Sequence, residues 1–246
     1  MPQASQLAFY RRAKPEILPA IPPTHSVCGM EISMRSKFDE QLAELNKEMI
    51  DMGMMIERSI SKAIEALNNK DEAMAKEIMD GDSRIDQAQK KIENICFNLL
   101  IQQQPVASDL RTITAAMKMV TDMERIGDHA ADISEMTIFM GKNSNVDEFE
   151  HIRRMASETV YMLNHSVEAY VEKNRAKARE VIEHDDVVDG LFDDVKKDII
   201  NMIRSNPTEG EEVTDLIMVA KYFERIGDHA TNIAEWVIFA LKKTED

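Results

Sequence analysis

The chain has few of the residues that cross-link, bend or anchor a protein. Its 246 residues include two cysteines, eight glycines, seven prolines and one tryptophan. The two cysteines, Cys28 and Cys96, are too few for a disulfide framework and favour a reducing compartment, so we expect a cytoplasmic protein. The longest apolar run, from Trp236 to Leu241, has six residues, whereas a membrane-spanning helix needs about 20. These shortages argue against a secreted disulfide scaffold and against a membrane span.

Basic residues are also in short supply. The sequence has 30 Lys and Arg residues against 45 Asp and Glu residues, which gives a net charge of −15. A surface of this sign repels nucleic acid and anionic lipid unless a local patch overrides it. We therefore expect no nucleic-acid partner, and we expect contact with a membrane only through other proteins.

The residues that are abundant favour helices. Apolar residues from Phe38 to Ile60 recur every three or four positions, which is the period of a helix face that packs on a core. The same pattern, interrupted at Pro105 and Pro207, predicts six long helices and an all-α fold. Residues 1–33 hold five of the seven prolines and show no sustained period, so we predict a disordered N-terminal tail there.

One heptapeptide occurs twice. The letters E-R-I-G-D-H-A stand at 124–130 and again at 224–230. The probability of such a self-match by chance is about one in ten thousand, so internal duplication is the better explanation. We predict two tandem three-helix bundles, one over 34–142 and the other over 146–246.

Each repeat carries a row of acidic residues. At about 100° per residue, carboxylates three or four positions apart lie on one side of a helix. Two such rows are predicted, one on the third helix and one on the sixth, where Asn232 replaces the third acid. The row residues are Glu124, Asp128, Asp132 and Glu135 in the first repeat and Glu224, Asp228 and Glu235 in the second. All of them except Glu135 are candidate metal ligands. The helices before them can add Asp82 and Asp86 to the first row, and Asp185 and Asp189 to the second.

Two interpretations of these rows remain open. Charge runs usually face solvent, which would make them a solvated surface. Partly buried like charges destabilise a helical bundle, however, and a hard cation held by several oxygens would offset that cost. Duplication in both halves favours the metal site. The Glu-x-x-His pattern of di-iron bundles is absent from both rows, which argues against a ferritin-like iron centre.

Three segments allow a comparison with a known family. They are M-R-S-K-F-D-E-Q-L at 34–42, D-M-E-R-I-G-D-H-A-A-D-I at 122–133 and Y-F-E-R-I-G-D-H-A-T-N-I-A-E at 222–235. From 34 to 242 the chain resembles the PhoU family. The resemblance implies Glu/Asp-x-x-x-Asp motifs that hold iron or zinc clusters in some members. By position these are Glu124 with Asp128, Asp128 with Asp132, Glu224 with Asp228, Asp82 with Asp86 and Asp185 with Asp189.

The resemblance also implies a function. Such a protein is a negative regulator of phosphate uptake and of the phosphate-starvation response. It contacts the ATPase subunit of the phosphate ABC transporter and a membrane sensor histidine kinase, and it forms a homodimer. The expected cofactors are divalent or ferric ions, with iron, zinc, manganese and magnesium all open.

The sequence offers no convincing enzyme site. It contains no Gly-rich phosphate loop, and spacing indicates no nucleophile constellation, so we expect a regulator that is not an enzyme. One alternative is a metal-binding carboxylate bundle with a hydrolase or metal-storage role. Another is a purely structural helical repeat whose acidic rows bind nothing.

Overall fold

The chain forms six long helices in the part that the structure describes. This structure is a computed structural model that describes residues 26–102, 105–141, 150–205 and 210–242. The helices are α1 Ser26–Asn69, α2 Glu72–Gln102, α3 Ala107–Met140, α4 Glu150–Val171, α5 Arg175–Ser205 and α6 Gly210–Ala240. The prediction of an all-α fold built from two three-helix repeats is confirmed.

The start of α1 differs from the predicted boundary. The helix begins at Ser26, so it extends into the last part of the segment that we expected to be a disordered tail. After Pro23 no proline interrupts the chain before Pro105, and helical geometry can therefore run back past Met34. Residues 1–25 lie outside the described residues, and the limits of the two repeats remain predictions.

The connection between the first and second helices has the same structure in both repeats. Lys70 and Lys173 adopt positive φ angles of 54° and 53°. The next residue then caps the following helix, because Asp71 Oδ1 accepts hydrogen bonds from the backbone N–H groups of Ala73 and Met74, both at 3.0 Å. Such a side-chain cap satisfies backbone donors that the first helical turn leaves free.

Asn174 plays the same part in the second repeat, where its Oδ1 accepts from the N–H groups of Ala176 and Lys177 at 3.1 Å. The two turns set the correspondence between the repeats. Residues of α1 and α2 match residues of α4 and α5 that stand 103 positions later, as the turn residues Lys70 and Lys173 do.

The two repeats meet along α3 and α6. These helices run antiparallel, because Arg111 near the start of α3 donates from Nη1 to the carbonyl oxygen of Lys242 beyond the end of α6, at 3.1 Å. Met123 and Phe223 are fully buried at equivalent positions of the two helices. One continuous apolar core spans both repeats, so the duplicated halves pack as one unit. None of the described helices is both long enough and apolar enough to cross a bilayer.

Candidate functional site: two acidic clusters

The first acidic cluster lies between α2 and α3. It consists of Asp82, Asp86, Glu124, Asp128 and Asp132, all of which are half-buried. Burial raises the pKa of Asp82 from 3.8 to about 6, and the neighbouring charges of Asp128, Asp86 and Asp132 raise it further. The pKa of Glu124 is also raised, first by burial and then by Asp128. Helix pairing therefore brings together the two carboxylate sets that the sequence placed on neighbouring helices.

The second acidic cluster repeats this arrangement between α5 and α6. Its members are Asp185, Asp189, Glu224 and Asp228. Burial raises the pKa of Asp185 to about 6, and the charges of Asp189 and Asp228 act in the same direction. Burial and the charge of Glu224 also raise the pKa of Asp228. Asp189 and Asp228 are exposed, so the second acidic cluster is more open to water than the first.

A glycine lies beneath each acidic cluster. A β-carbon on Gly227 would stand 3.1 Å from Asp185 Oδ1. On Gly127 it would stand 2.9 Å from Ile85 Cδ1 and 3.6 Å from Asp82 Oδ1. The missing side chains thus allow a carboxylate of the preceding helix to lie against the backbone of α3 or α6. These two glycines therefore permit close contact between the second and third helices of each repeat.

Each acidic cluster is only partly neutralised by a nearby cation. Arg125 Nη1 lies 3.0 Å from Asp128 Oδ2, and Arg125 Nε lies 3.6 Å from Glu124 Oε2. In the second acidic cluster Lys221 Nζ pairs with Glu224 Oε2. Sequence reasoning missed Lys221, although its position three residues before Glu224 is the spacing of a helical ion pair. One cation against four or five carboxylates leaves a net negative site in each repeat.

Two of the predicted site residues have other surroundings. Asp132 belongs to the first acidic cluster, but its Oδ2 also lies 3.0 Å from His129 Nδ1. Glu235 is exposed and is not among the charges that act on Asp185 or Asp228. The structure therefore brings nine of the ten predicted carboxylates into two clusters and leaves Glu235 outside the second.

The acidic clusters contain the right type of donor for a hard cation, but their side chains are not arranged to coordinate one in this structure. Carboxylate oxygens are the donors that magnesium, manganese and ferric ions favour, and zinc also accepts them. The glycine cradles leave room for carboxylates from two helices to approach one another. Within the described ranges, however, no three His, Cys, Asp or Glu side chains stand close enough together to hold a metal ion. Binding would require these side chains to rotate towards one another.

The histidines of the repeated heptapeptide lie at the contact between the repeats. The rings of His129 and His229 have centroids 5.6 Å apart. His229 Nδ1 lies 2.9 Å from Asp122 Oδ1, and Asn232 Nδ2 donates to the same oxygen at 3.2 Å. Sequence reasoning did not single out Asp122, because its partners lie more than 100 positions away on α6.

Fold and site together define a class of protein: a duplicated three-helix bundle with one acidic cluster between the second and third helices of each repeat. The family model described as the PhoU domain matches the chain twice, over residues 49–137 and 152–237. The chain belongs to the PhoU family.

Individual relatives and solved structures agree with this assignment. A phosphate-specific transport system accessory protein PhoU homolog of Clostridium acetobutylicum is 39% identical over 208 residues, which cover 84% of this chain and 95% of the relative. The crystal structure of PhoU from Pseudomonas aeruginosa superposes with a TM-score of 0.77 at 29% identity, covering 82% of this chain and 98% of that one.

The phosphate transport system regulatory protein PhoU from Streptococcus pneumoniae gives a TM-score of 0.75 at 30% identity. That match covers 82% of this chain and 96% of the other. These relatives therefore share the architecture across both repeats and not in one bundle alone.

Proposed function

We propose that this protein regulates phosphate transport and is a negative regulator of phosphate uptake and of the phosphate-starvation response. The observation that carries the proposal is the family match in both halves of the chain. Relatives that align along most of its length are named as accessory or regulatory proteins of the phosphate transport system. In this proposal the protein is a cytoplasmic adaptor between the ATPase subunit of the phosphate ABC transporter and a sensor histidine kinase.

The distribution of exposed apolar residues suits an adaptor with two contact surfaces. Phe97 near the end of α2 and Ile200 near the end of α5 are equivalent positions, and both are 49% exposed. Because α3 and α6 are antiparallel, these two positions lie towards opposite ends of the molecule. Exposed large apolar side chains at helix ends are typical anchors for a partner protein.

A regulatory role fits the chemistry better than catalysis does. Cys96, the cysteine with a described side chain, is fully buried in the apolar core. Burial raises the pKa of its thiol to about 12, so the reactive thiolate form is not available at neutral pH. The described members of the acidic clusters are carboxylates, which are donors for hard cations. We therefore assign the clusters a metal-binding role that supports structure or signalling.

Capture of partners from cells tests the adaptor proposal. The full chain, carrying an affinity tag, is recovered from phosphate-replete cells, and the bound proteins are identified by mass spectrometry. We expect the transporter ATPase and the sensor kinase. Phe97→Ser and Ile200→Ser are matched variants at equivalent positions, and each should lose one partner while keeping the other. Loss of neither partner from either variant would contradict the two-ended arrangement.

A genetic readout tests the direction of regulation. A strain without this protein should express phosphate-starvation genes in high phosphate, and the wild-type chain should restore repression. A deletion strain that keeps normal repression in high phosphate would overturn the regulatory proposal. Sedimentation velocity of the purified protein tests the proposed homodimer, which predicts a mass near twice 28.0 kDa.

A further inference from the structure

A small cationic cleft lies between α1 and α2, away from the acidic clusters. Its volume is about 80 Å³, and its polar lining consists of Arg58, Ser59, Lys62, Glu77 and Arg84. Gly81 forms part of the floor. The Nη2 atom of Arg84 lies 3.1 Å from the point where a β-carbon of Gly81 would stand. The guanidinium group therefore covers a notch that exists because residue 81 has no side chain.

The charge in this cleft is unusual for so acidic a protein. Lys62 pairs with Glu77 at 2.8 Å, and Arg84 acts on Glu77 only at longer range. In the described part of the chain, neither Arg58 nor Arg84 has a carboxylate within ion-pair distance. Three cations thus face one carboxylate, although acidic residues outnumber basic ones by 45 to 30 in the whole chain.

At the equivalent place in the second repeat, aromatic side chains occupy the positions that line the cleft in the first. By the 103-residue correspondence, Arg58 matches Tyr161, Lys62 matches His165 and Gly81 matches His184. These three aromatic rings pack on one another, with centroid distances of 3.8 Å from Tyr161 to His165 and 4.6 Å from Tyr161 to His184. Duplication therefore produced one repeat in which this position is filled and one in which it is open and cationic.

We propose that this cleft binds a phosphate dianion. The planar guanidinium group of arginine can donate two parallel hydrogen bonds to the oxygens of a phosphate, in bidentate geometry. The hydroxyl of Ser59 can donate a further hydrogen bond. The excess of two positive charges complements a dianion. Drug-sized ligands occupy pockets of about 300–1,000 Å³, so a cleft of about 80 Å³ suits a single oxyanion rather than a nucleotide.

The choice of free phosphate among oxyanions rests on the proposed role in phosphate regulation. Under this proposal the protein itself senses phosphate, in addition to contacting the transport system. Sulfate is similar to phosphate in size and charge. Sulfate binding therefore tests whether the cleft holds an oxyanion, whatever the role of the protein in phosphate regulation. The binding experiment uses purified protein without partners, so its failure leaves the adaptor proposal to be decided by the capture experiment.

Isothermal titration calorimetry with the full, chelator-treated chain tests the proposal, because removal of metal excludes binding through the acidic clusters. Titrants are inorganic phosphate, sulfate, chloride and O-phosphoserine at constant ionic strength. We expect phosphate to bind and chloride not to bind. The Arg58→Gln, Arg84→Gln double variant should bind phosphate at least tenfold more weakly.

Two further variants separate the cleft from a general effect of charge. Gly81→His introduces the residue of the second repeat, so it should fill the notch and weaken phosphate binding at least tenfold while every cation remains. Lys47→Gln with Arg154→Gln removes two exposed cations elsewhere on the surface and should leave binding within twofold of wild type. Circular dichroism confirms that each variant is folded.

Three results would overturn the proposal. The first is equal behaviour of phosphate and chloride with the wild-type chain. The second is undiminished phosphate binding in folded protein carrying Arg58→Gln and Arg84→Gln, or in folded Gly81→His. The third is tighter binding of O-phosphoserine than of phosphate, which would assign the cleft to a phosphorylated protein instead of the free ion.

Discussion

Asp185 Oδ1 lies 3.1 Å from the position that a β-carbon of Gly227 would occupy. This relationship places a carboxylate against the backbone of α6 at the centre of the second acidic cluster. Gly127 has the equivalent place in the first repeat, where Ile85 is the closest neighbour at 2.9 Å. The repeated glycine thus allows the second and third helices of each repeat to pack closely together.

Gly127→Ala should destabilise the protein. Alanine is favoured over glycine within a helix by about 1 kcal/mol, but the added methyl group would overlap with Ile85, and overpacking costs about 1–3 kcal/mol. We expect a net loss of about 1 kcal/mol in the free energy of unfolding, measured by urea denaturation. Gly190→Ala is the control, because nothing lies within 4 Å of a β-carbon there, and it should stabilise the chain. Equal effects of both substitutions would contradict the close contact.

The acidic clusters should make stability depend on pH in the absence of metal. Burial raises the pKa of Asp82 from 3.8 to about 6, so the folded state holds a proton that the unfolded state releases. This contribution is complete below about pH 4 and is lost as the pH rises through about 6. Asp82→Asn mimics the protonated form and should stabilise the metal-free protein by about 1 kcal/mol at pH 7.5, after allowance for solvent screening. It should have little effect at pH 4.

Asp193→Asn is the matched comparison for this pH dependence. The pKa of Asp193 is lowered by its hydrogen bond to Lys196, which is the opposite direction from Asp82. Its replacement should therefore not stabilise the protein at pH 7.5. Thermal unfolding between pH 4 and pH 8 measures both variants, and parallel pH profiles for the two would refute the assignment.

Removal of carboxylates should reduce metal binding without unfolding the chain. Glu124→Gln with Asp128→Asn takes two donors from the first acidic cluster while preserving side-chain shape. After dialysis against iron, zinc, manganese or magnesium, elemental analysis should show loss of the metal bound at this cluster, and affinity should fall at least tenfold. Asp193→Asn with Asp194→Asn removes two exposed carboxylates of α5 and serves as the control. Unchanged metal content in the first variant would count against the site.

The hydrogen bond between Asp122 and His229 should couple the two repeats energetically. Its 2.9 Å length joins α3 to α6, whereas the similar pair His151 and Asp198, 2.6 Å apart, joins two helices of one repeat. A double-mutant cycle with Asp122→Ala and His229→Ala should give a coupling energy of about 0.5–1.5 kcal/mol. Strictly additive effects would show that this bond does not stabilise the interface.

The repeated heptapeptide and the helical period were sufficient to predict the architecture. Apolar residues at helical spacing specify which face of each helix is buried, because burial of apolar surface drives packing. The two copies of E-R-I-G-D-H-A then relate the halves, and the prediction of two three-helix bundles is confirmed. The start of α1 was predicted less accurately, since helix ends depend on weak local preferences.

Sequence spacing alone defined the rows of acidic residues, because a helix has a fixed rotation per residue. Only tertiary packing decided which rows face each other, how far burial raises their pKa values, and that Lys221 and Arg125 neutralise them in part. The same holds for the cleft lined by Arg58 and Arg84 and for its filled counterpart at Tyr161. These features arise from the distance and rotation between neighbouring helices, which depend on the packing of many side chains together and not on the period within any one helix.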